Sequence, residues 1–199
     1  MITTTSLALD PAFTTRYPMS PPPAAAQESM PIQSSTGAVA QTSGRLRVCY
    51  FTAGRTGTYT QMVTAATAAA GATPTLCRGC CYAVDPATGN LTSILAAWAN
   101  NTAAWSATGV DTETFTGALN LVAGTVYASA TISVTAVGAA NLVGVVGQSV
   151  AAAFYLPSVA VGGVGGLRFA LLDGQSDLPT SVTLASLTAS ANGVYAQFQ

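Results

Sequence analysis

The chain has 199 residues, with 6 Lys plus Arg, 7 Asp plus Glu and no histidine, for a net charge of −1. The six cations are all arginine, so Schiff-base chemistry, a P-loop lysine and every His-based dyad or triad are excluded. A charged fraction of 7% against 50% hydrophobic residues implies a chain that hides apolar surface by folding or by joining other chains.

Residues 1–43 carry six of the ten prolines: Pro11, Pro18, Pro21, Pro22, Pro23 and Pro31. Proline lacks an N–H and fixes φ, so the run from Tyr17 to Pro23 predicts extended, polyproline-like chain. Large apolar side chains are scattered along it, among them Ile2, Phe13, Tyr17, Met19, Met30 and Ile32. They predict an anchoring arm that orders on a partner, with Phe13, Tyr17, Pro18, Met19, Pro21, Pro22 and Pro23 as its contact residues. A disordered terminus is the alternative. Met1–Phe13 shows no basic segment followed by an apolar one, so no secretory signal is expected.

From residue 44 to 199 the pattern is one domain of short strands separated by turns. Arg45–Thr52 alternates and is rich in β-formers. Thr56–Val63 and Thr75–Val84 follow. Met62–Gly71 is alanine-rich enough for a helix, but its three threonines favour strand or loop. Asp85-Pro-Ala-Thr-Gly-Asn90 is a turn by composition: Asp opens it, Pro presets φ and Gly89 accepts positive φ. It makes Leu91–Trp98 the returning strand of a hairpin. Further strands are expected near Glu113–Leu119, Val126–Val137, Leu142–Val146, Gly166–Leu172, Val182–Leu187 and Gly193–Phe198. Eight to ten such strands define an all-β, antiparallel β-sandwich or jelly roll behind an extended proline-rich arm.

The candidate chemical motifs are thin. Cys77-Arg-Gly-Cys80 has the spacing of half a zinc site, with Cys81 and Cys49 the only other cysteines. In a strand Cys77 and Cys80 point to opposite faces, so the cysteines read as small core hydrophobes rather than as ligands or a disulfide. Asp111-x-Glu113 and Asp173-x3-Asp177 read as solvated turn residues rather than a calcium site, which needs six to eight oxygens. Trp98, Trp105, Tyr82, Tyr127, Tyr155 and Tyr195 read as core before they read as a sugar platform. Asn90-Leu-Thr92 and Asn100-Asn-Thr102 match the glycosylation sequon by chance. No enzymatic activity and no cofactor or metal are expected.

Binding partners are bounded in the same way. Arg45, Arg47 and Arg55 are the only basic cluster, too small for nucleic acid. The stretch from Thr114 to Leu167 has no charge, yet Asn120, Ser133, Asn141, Gln148, Ser149 and Pro157 interrupt it, against a membrane span. It is the expected subunit contact of a homo-oligomer, with Val145 and Val161 at the contact, exposed apolar patches on the monomer and a flexible Val159–Gly166 run.

Thr56-Gly-Thr-Tyr-Thr60, Gly71-Ala-Thr-Pro-Thr-Leu76, Tyr82-Ala-Val-Asp-Pro-Ala-Thr-Gly-Asn-Leu91 and Leu121-Val-Ala-Gly-Thr-Val-Tyr127 together resemble a β-sandwich domain of virion proteins from tailed phages of actinobacteria. The resemblance covers roughly residues 50 to 140. It implies a minor tail or tail-fibre-type virion protein, anchored by its arm and displaying the sandwich for host attachment. It also implies other virion proteins as partners, a trimeric homo-oligomer and a host-surface glycan as possible target. The chain lacks a fibre shaft, which keeps a capsid decoration protein open as the alternative. A carbohydrate-binding module is the further alternative.

Overall fold

The computed structural model of the protein describes residues 25–30, 37–70, 73–145 and 169–199. Nearly every element is a strand. In chain order they are β1 (Gln27–Glu28), β2 (Gly37–Gln41), β3 (Leu46–Thr52), β4 (Gly57–Ala68), β5 (Leu76–Val84), β6 (Leu91–Ala97), β7 (Gly109–Leu121), β8 (Val126–Val134), β9 (Ala140–Val145), β10 (Phe169–Leu172), β11 (Thr188–Ala189), β12 (Gly193–Val194) and β13 (Gln197–Phe198). The Met62–Gly71 ambiguity resolves as strand, since β4 runs on to Ala68.

The strands form two antiparallel sheets. In one, β2 pairs β9, β9 pairs β4 and β4 pairs β7. In the other the order is β3-β8-β5-β6. From β2 to β9 the chain changes sheet at every connection except the β5–β6 hairpin. That order is the eight-stranded jelly roll. The remaining strands decorate it: β10 extends the second sheet beside β3, β11 follows β10, β12 pairs β9, β13 pairs β4, and β1 pairs β13.

Strand alternation sorts side chains into separate cores. Between the sheets lie Phe51, Tyr59, Met62, Cys77, Cys81, Trp98, Trp105, Phe115, Leu119, Leu142 and Phe198. The opposite face of the second sheet carries Leu46, Val48, Tyr50, Cys80, Tyr82, Ala128, Ala130 and Ile132. A bare apolar sheet face would be exposed to water. Here Leu178, Val182, Leu184 and Leu187, from the excursion between β10 and β11, cover it. The molecule therefore has a third layer, a strap over the second sheet.

Polar staples fix that strap. Arg45 Nε donates to Asp173 at 2.6 Å and Arg78 to Asp177 at 2.8 Å. The Tyr82 hydroxyl donates to the Pro179 carbonyl at 2.6 Å, and Leu184 N–H donates to Asn90 Oδ1 at 2.7 Å. The strand expected over Val182–Leu187 is instead one bridge, Leu91 to Val182, followed by a 3₁₀ turn at Leu184–Ser186. A surface strap over a sheet face has no neighbouring strand to complete a ladder, so its backbone turns on itself instead.

The boundary at residue 43 needs correction. Gly37–Gln41 is a full strand of the jelly roll, with Val39 and Gln41 buried. Gln27–Met30 is likewise built into the fold, with Met30 only 1% exposed. Proline density marked the arm, but paired strands already stand at Gln27–Glu28 and Gly37–Gln41.

Candidate partner-binding surface

The arm residues Phe13, Tyr17, Pro18, Met19, Pro21, Pro22 and Pro23 lie outside the described residues, as do Val161 and the Val159–Gly166 run. Val145 ends β9, where its backbone pairs with Gly193. What is described of the arm region is its last part. Glu28 and Gln27 pair with Gln197 and Phe198 of β13. Ser29 N–H donates to the Ala196 carbonyl at 2.8 Å, and Ala196 N–H donates to Ser29 Oγ at 3.0 Å. Tyr195 Oη donates to Glu28 Oε1 at 2.8 Å, and Gly54 N–H donates to Gln27 Oε1 at 2.8 Å. Cys49 Sγ donates to the Ser29 carbonyl at 3.6 Å. Met30 packs with Cys49, Val63, Ala65, Val143, Phe169 and Tyr195. Alongside runs an open cleft of about 350 Å³, bounded by Ala26–Met30, Phe51, Thr52, Gly54 and Arg55.

The loops of a jelly roll gather at its two ends. At one end are the β2–β3, β4–β5, β6–β7 and β8–β9 connections. The β6–β7 loop there is organised from below by β7. Trp105 sits at φ +59°, a left-handed conformation that costs a bulky residue energy. Its indole Nε1 donates to Thr64 Oγ1 at 2.9 Å, its ring meets Trp98 edge-on at 6.1 Å, and its carbonyl accepts from Ala70 N–H at 3.2 Å. Asp111 accepts the Trp105 backbone N–H, and Glu113 accepts from Asn101 Nδ2 at 2.7 Å. Burial, with Glu113 nearby, raises the Asp111 pKa above the usual carboxylate value. Asp111 and Glu113 are thus strand residues holding a loop, not the solvated turn residues expected. Spacing alone could not show this, because the loop they serve precedes them.

Asp173 and Asp177 are exposed residues of a turning segment, as expected, and each is in addition paired with an arginine of the sandwich. Arg47, 6% exposed, donates from Nε to the Ala40 carbonyl at 2.8 Å, and burial lowers its pKa to about 10. Beside it, Gln41 Nε2 donates to the Arg45 carbonyl and Gln41 Oε1 accepts from Thr131 Oγ1. Arg45, Arg47 and Arg78 are thus committed to contacts within the fold, whereas Arg55 is exposed beside the cleft.

All four cysteines are free and buried. Cys77 and Cys81 face the space between the sheets while Cys80 faces the strap, as strand alternation requires. Burial pushes the Cys77 thiol up to about 12 and raises Cys80 and Cys81 as well. Among the described residues no group of three His, Cys, Asp or Glu side chains could hold a metal ion. Trp98, Trp105, Tyr82, Tyr127 and Tyr195 are all buried, so they build the core and not a sugar platform. Tyr155 lies outside the described residues. The two sequon asparagines are structural. Asn90 Oδ1 receives Leu184 N–H, and Asn100 receives Cys77 N–H while donating to the Thr75 carbonyl.

The apolar patches expected on the monomer are missing from the described surface. Its exposed large hydrophobics are Leu95, Val110, Val122 and Val137, on separate elements or loops. Low charge is offset by Thr, Asn and Ser on the outer strands; the exposed positions of β7 include Thr112, Thr114, Thr116 and Asn120. Among the described residues no helix is long and apolar enough to cross a membrane.

The chain matches no protein-family model and no curated protein. Its function is therefore read from its own residues and fold.

Proposed function

We propose that this chain is a non-enzymatic structural protein of a tailed-phage virion. Its place is that of a minor tail or tail-fibre-type protein. Residues 1–24 reach a neighbouring virion protein, and the sandwich is displayed for host attachment as a homo-oligomer, with a trimer the expected form. The observation that carries the reading is the strand order. The sequence segments resembling phage virion β-sandwiches, roughly residues 50 to 140, fall on β3 to β8, the body of an eight-stranded jelly roll. The chemistry agrees in kind. Of the described charged side chains, Arg45, Arg78, Asp173 and Asp177 staple the strap, Arg47 closes an edge and Asp111 and Glu113 brace a loop. A scaffold whose charges are spent on its own loops suits display better than catalysis.

Immunogold labelling of intact particles with antibodies against the purified chain tests the reading. Label at the tail tip is expected. Label distributed over the head would make the chain a capsid decoration protein, and particles free of label would end the virion reading. In parallel, a chain lacking residues 1–24 is expected to fold and yet be absent from particles.

A further inference from the structure

The loop between β6 and β7, residues 98–108, is gripped by two carboxylates of β7. Alternation puts Asp111 and Glu113 on one face of that strand, while Val110, Thr112 and Thr114 face water. Asp111 accepts the Trp105 backbone N–H, and Glu113 Oε1 accepts from Asn101 Nδ2 at 2.7 Å. The segment held in this way is strained. Trp105 keeps φ +59°, and Gly109, which returns the chain to β7, takes φ +142°. Against that strain stand the burial of Trp105, 0% exposed, and the bond from its indole to Thr64 at 2.9 Å.

We propose that the β6–β7 loop is a proton-operated latch, seated while Asp111 carries a proton and released when Asp111 and Glu113 are both ionised. The surrounding elements leave the two carboxylates without a compensating charge. The loop itself has no titratable residue. β4 and β6, which pack against β7, have no charged residue, and their one titratable group, Tyr59, lies opposite Leu119. β5 presents Cys77, whose thiol donates to the Ala104 carbonyl at 3.4 Å and, with a pKa of about 12, stays uncharged. Arg78, next to it, belongs to the other face of β5 and is paired with Asp177. Ionising both carboxylates therefore sets two like charges side by side, with Asp111 half-buried. Desolvation and the Glu113 charge both raise the Asp111 pKa, the first more than the second. A pKa raised by the seated loop means that protons favour the seat, so acid closes the latch and rising pH opens it. Lifting the loop lets water reach the carboxylates and relieves Trp105. The inference concerns how this loop responds to pH and stands apart from the place of the chain in a particle.

The chain has two tryptophans, Trp98 and Trp105, which meet edge-on at 6.1 Å, so its fluorescence reports on this loop. Acrylamide quenching of the full chain is followed from acid to neutral pH. It is expected to rise about twofold, with a midpoint above the ordinary aspartate value of about 3.9. Asp111→Asn is expected to stay at the acid level throughout. Glu113→Gln keeps an acceptor for Asn101 and is expected to move the midpoint down toward the ordinary value, which a merely structural role for Glu113 would not do. Quenching that is flat with pH in the parent overturns the proposal. So does a rise that persists in Asp111→Asn, or a midpoint unmoved in Glu113→Gln.

Discussion

Gly79 shows at the scale of one residue how this sandwich closes. A Cβ there would come within 2.4 Å of the Trp98 ring, and Trp98 is only 1% exposed. The ring cannot retreat, because its Nε1 donates to the Cys77 carbonyl and its face meets Trp105. Gly79→Ala is therefore expected to cost about 1–3 kcal/mol, the usual penalty of overpacking, measured by chemical denaturation. The cysteines beside it behave as core. Cys81→Val stays apolar but adds one carbon to the closed core, and is expected to cost about 1–3 kcal/mol. With the Cys77 pKa near 12 and all four thiols buried, a thiol reagent at mildly alkaline pH should label none until denaturant is added, and then all four. Asp111 acts in the opposite sense to an ordinary surface carboxylate. Its folded pKa is raised by desolvation, so the folded state favours its protonated form. Its contribution to stability is fully present below the unfolded value and is lost as pH rises through the folded one. Asp111→Asn keeps an acceptor for the Trp105 N–H without the charge. It is expected to be more stable than the parent at neutral pH, with the difference vanishing in acid. Thermal midpoints across a pH series check this, and a variant less stable at neutral pH would contradict it. Asp173 supplies the contrast. The Arg45 hydrogen bond lowers its pKa, so its contribution is present above the unfolded value and is lost as pH falls through the folded one.

At the scale of elements, the strap raises the question of which contacts hold it. Both ion pairs are substantially exposed: the aspartate side chains are 58% and 52% accessible. Exposed pairs contribute little, a median of about 0–1 kcal/mol. Leu178 and Val182, by contrast, are 8% and 4% exposed against the outer core. Leu178→Ala is expected to cost about 2 kcal/mol, the low end of core truncations, while Asp177→Asn costs under about 1 kcal/mol. Equilibrium unfolding of the two variants compares them directly. Equal losses would make the strap an electrostatic clamp. The β5–β6 hairpin was legible because its turn chemistry is local. Asp85 Oδ1 accepts Ala87 N–H at 2.9 Å, Oδ2 accepts from Thr88 Oγ1 at 2.7 Å, and Gly89 takes φ +73°. The 3₁₀ turn at Leu184–Ser186 was not legible, since Val182–Leu187 is as rich in β-formers as a strand. Only the lack of a partner strand over the outer face decided its conformation.

For the molecule as a whole, residues 27–29 pair with residues 196–198. Removing residues 1–36 deletes β1 and Met30 along with the arm, leaving β13 paired on one side only, with β4, and a hole among Val63, Phe169 and Tyr195. Loss of a buried Met side chain alone costs about 2–5 kcal/mol. The 1–36 deletion is therefore expected to melt well below the 1–24 deletion in a thermal scan, and equal midpoints would show that the seat contributes nothing to the fold. The sequence by itself determined that the protein is all-β. Thr and Val abundance, period-two alternation and Asp-Pro-Gly turn chemistry are local properties that survive without a fold. It also determined that its cysteines are core residues, because strand alternation separates Cys77 from Cys80 whatever the strands pair with. Only the tertiary structure decided the jelly-roll order, the strap and the seat of residues 26–30. It also decided the loop-bracing role of Asp111 and Glu113 and the pairing of Arg45 with Asp173 and Arg78 with Asp177. Each of those joins residues distant in sequence, and pairing across such separations is set by which buried faces and polar groups complete one another, which no window of the chain contains.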